Sequence, residues 1–199
     1  MITINNLSIS TRELLFKDLS IVFSKDSISS IEAPNGSGKS SLFRVIAGLA
    51  IPKAGEIKLQ TKKQNGSVFF YEASDWFDNQ LSGLDYLNFI QQAWQSQKSP
   101  QEMIRFWEME EYIHLPIKKY SLGMKQKLLL SCYFVSDAEI WLLDEATNGL
   151  DETSREKFAQ MILENKQGKT ILLSSHYSSE SATISDKTYT IKNKKLEEK

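Results

Sequence analysis

The chain has one cysteine, Cys132, in 199 residues, so no internal disulfide can form. Its position inside the apolar run KLLLSCYFV predicts a buried thiol. Long hydrophobic runs are also missing: nothing approaches the ~20 consecutive apolar residues that span a bilayer. The opening MITINNLSI lacks the basic-then-apolar pattern of a secretion signal. Charge of one sign is scarce as well, with 24 basic against 25 acidic residues and a net charge of −1. No lysine run is long enough to form an electrostatic footprint for DNA or RNA. These absences predict a cytoplasmic protein that does not bind nucleic acid, whose role at any membrane comes through a partner. Repeats and low-complexity segments are absent too, and 199 residues at 41% hydrophobic suffice for one well-buried α/β domain with little room for a second.

Apolar runs and helical periodicities alternate along the chain. Strands are predicted over 2–9, 19–23, 28–33, 55–59, 67–71, 140–143, 170–174 and 187–191. Helices are predicted over 40–48, 83–95, 100–110, 122–135 and 152–165. The earliest strands have hairpin-like spacing, whereas the later ones alternate with helices as in a parallel sheet. Helices dominate from Ser74 to Ser136. The expected division is therefore an α/β core of 1–73 and 137–199 with a helical subdomain of 74–136 inserted into it. The 192–199 tail reads as a solvated end.

The stretch IEAPNGSGKSS follows an apolar strand and leads into a helix, the setting a phosphate-binding loop requires. Backbone N–H groups from Asn35 through Gly36, Ser37 and Gly38 to Ser40 can converge on a phosphate, with Ser41 completing the motif. The two glycines permit close approach and left-handed backbone, and the helix N-terminus adds partial positive charge. Lys39 is placed to reach the β- and γ-phosphates of ATP, and the Ser40 hydroxyl to ligate Mg²⁺. Ala33 stands where such loops usually open with glycine. Its methyl group is harmless at negative φ and costs ~1–2 kcal/mol at positive φ.

Farther on, IWLLDEATNGLD ends an apolar run in two acids, Asp144 and Glu145. Acids at the carboxyl edge of a parallel sheet lie where ligands of such sheets bind. Asp144 suits Mg²⁺, and Glu145 suits a water that attacks phosphate. The strand TILLSSH ends in His176, a second candidate for the γ-phosphate and the water. His114, in YIHLP, reads as a surface or core residue.

In the order APNGSGKSS, YSLGMKQK, WLLDEA, NGLD and SSH, the sequence resembles the ATPase subunit of ABC transporters over essentially its whole length. The resemblance implies a P-loop NTPase (RecA-like) α/β core with an N-terminal antiparallel β subdomain and an inserted helical subdomain. It also implies ATP and Mg²⁺ as cofactors, a second ATPase subunit (homodimer or heterodimer) and a membrane permease that brings the chain to the inner face of the membrane. YSLGM stands at the family's signature motif, of which Ser121 and Gly123 carry over while Leu122 and Met124 do not. Ser121 and Gly123 begin a helix and, by family resemblance, face the γ-phosphate held by the opposite subunit. The segment from Asn148 to Asp151 would lie along that interface. The variant YSLGMKQ is similar to that of exporter ATPases for drugs and antimicrobial peptides, which favours export.

Two family positions depart from the pattern. Glu72 stands where a glutamine usually contacts Mg²⁺ and couples to the permease, and no aromatic ring for stacking on adenine occurs near Ile9 to Arg12. The rings of Trp76, Phe77 and Tyr86 either line a groove for a permease helix or pack the insertion's own core. Two other readings are a soluble ABC-type ATPase acting on DNA or ribosomes and a nonhydrolytic regulatory partner in a heterodimer.

Overall fold

The computed structural model describes residues 1–62, 67–72, 77–175 and 183–199. Three strands form an antiparallel sheet in the order β2-β1-β4: β1 (Ile2–Ser10), β2 (Leu14–Phe23) and β4 (Ala54–Leu59). A six-stranded sheet has the order β5-β6-β7-β3-β8-β9: β3 (Ser27–Glu32), β5 (Val68–Phe70), β6 (Ile140–Asp144), β7 (Thr170–Ser175), β8 (Lys187–Lys192) and β9 (Lys195–Glu198). It is parallel from β5 to β8, and β9 is antiparallel. The helices are α1 (Lys39–Ile46), α2 (Gly83–Ala93), α3 (Pro100–Phe106), α4 (Leu122–Ser136) and α5 (Glu152–Glu164).

Because successive side chains of a strand point to opposite faces, the central strands serve two cores. Trp141 and Leu143 of β6 and Ile171 and Leu173 of β7 pack with the helices α2, α4 and α5. Ile140, Leu142 and Leu172 face the other way, onto α1 and the three-stranded sheet. Both faces are covered, which is why these strands read as unbroken apolar runs. Helix α4 is enclosed as well: Leu128 through Ser136 are all buried, among them the Cys132 thiol, whose pKa burial pushes up. Along α1, by contrast, Leu42, Phe43, Val45 and Ile46 are buried while Arg44 faces outward.

Three expectations need correction. The 192–199 tail is solvent-exposed, as expected, but it is not an unstructured end, because β8 and β9 form a hairpin with Lys192 opposite Lys195. Its two loop residues, Asn193 and Lys194, have φ of 49° and 61°, the pair of positive φ values that a two-residue hairpin turn needs. Second, β2 begins at Leu14 rather than Leu19, with Asp18 at φ 47° beside a register shift that interrupts the alternation. Third, α3 stops at Phe106, and Glu108 turns left-handed at φ 57°. Phe77 is buried, stacking on Tyr71 at 5.1 Å and meeting Tyr86 edge-on at 4.8 Å. Phe77 thus packs the core, not a groove; Trp76 lies outside the described residues. His114 is exposed, and among the described residues no helix is long and apolar enough to cross a membrane.

Candidate functional site

The loop between β3 and α1 is built around two left-handed glycines, Gly36 at φ 76° and Gly38 at φ 106°. A β-carbon on Gly38 would lie 3.0 Å from the Phe16 ring and 3.3 Å from Leu15 Cβ, so the loop is pressed onto β2 and tolerates only hydrogen there. Around Gly36 there is open space. Ala33 is buried and is not among the residues with positive φ, so its methyl group introduces no backbone strain. Phe16, whose ring lies against the loop, is fully buried and cannot stack on a base.

Lys39 is buried, and its ammonium donates to the carbonyls of Ala33 at 2.6 Å and Pro34 at 3.1 Å. Burial pushes its pKa below the ordinary lysine value, and the nearby carboxylates of Glu145 and Asp144 offset part of that shift. The cation therefore already senses the two acids that the sequence pairs with it. Ser37 Oγ is buried without a hydrogen-bond partner. An orphaned hydroxyl in a glycine loop, beside a buried cation, fits a phosphate that would supply the missing acceptor.

Asp144 ends β6, and the adjacent β7 places Ser174 directly opposite it. The Ser174 hydroxyl donates to the Asp144 carboxylate and accepts from the Glu145 N–H at 2.9 Å. Glu145 has φ 49°, a left-handed conformation that costs a non-glycine residue ~1–2 kcal/mol. Its carboxylate accepts from Asn148 Nδ2 at 2.8 Å. From the opposite side, Gln126 of α4, itself buried, donates to the Ala146 carbonyl at 2.6 Å. The acidic turn is thus fastened by groups from β7, from α4 and from within itself. Sequence reasoning missed Ser174 and Gln126, because strand register and helix packing, not local spacing, bring them to the acids.

Glu72 is ion-paired with Arg44 on the outer face of α1, so in this structure its carboxylate is engaged by a cation of the same chain. No group of three metal-binding side chains occurs among the described residues. Mg²⁺ commonly takes only one or two protein oxygens and completes its shell with phosphates and water, and Ser40 and Asp144 are of the right oxygen type for that pattern. His176 lies outside the described residues.

A second anion-receptive end is the start of α4. Ser121 is its N-cap, and the Ser121 Oγ accepts from the Met124 N–H at 3.2 Å, leaving the hydroxyl proton to donate outward. Gly123 lies close to the chain turn after the acids, where a β-carbon would come 3.0 Å from the Gly149 carbonyl. Leu122 covers Gly149, whose own β-carbon would lie 2.7 Å from Leu122 Cγ. Ser121, Gly123, Lys127, Gly149 and Asp151 line a cavity of 230 Å³ there.

Comparison with known proteins agrees with this geometry. Residues 16–148 match the family model described as ABC transporter. The teichoic acids export ATP-binding protein TagH of Staphylococcus saprophyticus is 34% identical over 165 residues, covering 80% of this chain and 61% of that protein. ABC transporter A family member 5 of Dictyostelium discoideum is 31% identical, covering 90% of this chain but only 12% of that protein. The cytochrome c biogenesis ATP-binding export protein CcmA of Reclinomonas americana is 30% identical over 187 residues, covering 88% of this chain and 84% of that protein. A solved ATP-binding subunit of an ABC transporter superposes with a TM-score of 0.88 at 22% identity, covering 98% of this chain and 88% of the other. The chain thus spans less than two thirds of the length of two of these relatives.

Proposed function

We propose, starting from the fact that this chain belongs to the ABC transporter family, that it binds ATP with Mg²⁺, hydrolyses it, and powers a separate membrane permease. The observation that carries the reading is the buried Lys39 ammonium, held at the lip of the glycine loop and under the field of Asp144 and Glu145. A cation, a loop of backbone N–H groups and two acids at the end of β6 are the parts that phosphoryl transfer needs, since the reaction depends on positioning and charge stabilisation.

In this reading the N–H groups of Asn35 to Ser40 cradle the phosphates, and Lys39 exchanges its carbonyl partners for phosphate oxygens. Ser40 and Asp144 hold Mg²⁺, which when bound neutralises charge on the phosphates. Glu145 orients and deprotonates the attacking water, and His176 is the second candidate for the γ-phosphate. Ser41 belongs to the same loop, and Glu72, which Arg44 holds here, would offer a further carboxylate oxygen to Mg²⁺. Ser121 and Gly123 serve the nucleotide of a second ATPase subunit, whether an identical chain or a different one, so that two copies share two sites. Helix α4 supports this arrangement through its outward-donating N-cap.

The chain would then act on the cytoplasmic side of a membrane through its permease. Two of the relatives bear export in their names, and we assign export here on that basis together with the YSLGMKQ signature. The direct test is calorimetric titration of the purified chain with Mg-ATP: binding by the wild type and its loss in Lys39→Ala are expected. No binding by the wild type would overturn the reading.

A further inference from the structure

We propose that Ser174 is the positioning residue of the acidic turn, fixing where the Asp144 and Glu145 carboxylates point and acting on hydrolysis only through them. The catalytic half of this proposal rests on the ATPase reading above; the structural half does not.

A serine hydroxyl has one proton and two lone pairs. An ionised Asp144 can only accept, so it claims the proton, and a lone pair of the same oxygen then meets the Glu145 N–H at 2.9 Å. The chain of bonds has one direction, from the Glu145 amide through the hydroxyl to the Asp144 carboxylate, and each bond polarises the next. Ser174 is buried, so water does not replace it. The β6–β7 register puts it opposite Asp144 independently of any ligand. The amide it holds belongs to a glutamate at φ 49°, a backbone that persists where neighbours over-determine it. Asn148 grips the Glu145 carboxylate and Gln126 the Ala146 carbonyl; Ser174 bonds to both acidic residues at once.

Without the hydroxyl, the Glu145 N–H loses this acceptor and Asp144 loses a donor. The turn then relaxes toward ordinary backbone, moving the Glu145 carboxylate away from the water it serves. The phosphate loop, on the other side of β7, keeps its geometry. Activity should fall far more than nucleotide affinity, which rests mainly on that loop and is touched only through Asp144.

The test compares Ser174→Ala, Ser174→Thr and Ser174→Val. Threonine keeps the oxygen, and valine has its shape without it. For the alanine and valine variants kcat should fall by about ten- to a hundredfold, with KM and the equilibrium affinity for Mg-ATP within about twofold. Threonine should keep kcat within about threefold of the wild type. Hydrogen exchange of the Glu145 amide, followed by NMR without nucleotide, should be at least about tenfold faster in the alanine and valine variants and near wild type in threonine. Unchanged exchange or unchanged kcat in the alanine variant would overturn the role, as would equal losses in threonine and valine, which point to packing. A wild-type chain that turns over no ATP would contradict the ATPase reading alone, and the exchange measurement then decides the clamp by itself.

Discussion

Replacing Gln126 with leucine should destabilise the fold by about 1–3 kcal/mol, because it leaves the Ala146 carbonyl buried without its donor. The Gln126 side-chain amide sits 2.6 Å from that carbonyl and the residue is only 5% exposed. Leucine matches glutamine closely in helix propensity, so the α4 backbone should not contribute. The expected change is a lower urea midpoint at constant m and a thermal midpoint lower by roughly 2–4 °C for each kcal/mol in a chain of this size. Gln160→Leu is the control. Its amide bonds to Glu164 at 2.8 Å on the exposed face of α5, and its loss should shift stability by no more than ~0.5 kcal/mol. A Gln126→Leu protein as stable as the control would refute the claim that this bond ties the signature helix to the acidic turn.

Gly149→Ala should destabilise by more than the ~1–2 kcal/mol of its left-handed backbone alone, since the new β-carbon meets Leu122; adding Leu122→Gly should recover the steric part only, as a double-mutant cycle in urea would read. The lowered Lys39 pKa means that the unfolded chain binds this proton more tightly than the folded one. Stability from this group therefore rises with pH between the depressed value and the ordinary 10.5, and Lys39→Met should flatten the alkaline limb of the urea midpoint against pH. ATP and GTP should bind with affinities within about threefold of each other, because among the described residues the ring that lies against the loop, Phe16, is buried and cannot stack on the base; a strong ATP preference in a competition titration would contradict this.

The parts of the site legible in the sequence are those fixed by local geometry. Gly36 and Gly38 mark the loop because left-handed backbone is nearly theirs alone, Lys39 and Ser40 follow at set spacing, and the buried strands on either side announce themselves as apolar runs. Ser121 was legible for the same reason, as a polar residue at the start of a helix. What stayed hidden depends on contacts across the chain. Ser174 meets Asp144 through strand register, Gln126 meets Ala146 through helix packing, and Arg44 reaches Glu72 across the face of α1. The β9 strand escaped because its charged residues and an Asn193-Lys194 turn carry none of the usual glycine signal. Phe77 could not be assigned to groove or core from sequence, since an aromatic-rich segment looks the same in both; its packing on Tyr71 and Tyr86 decides for the core.

The central claim is that this chain builds ATP-hydrolysing sites in which Glu145 serves the attacking water and a second subunit completes each site. Steady-state phosphate release with Mg-ATP over a range of protein concentrations, beside Glu145→Gln, tests it most directly. The account predicts activity that rises more than proportionally with protein and is lost in the variant while ATP binding is retained. Rapid turnover by Glu145→Gln, or activity strictly proportional to protein concentration across the range, would contradict it.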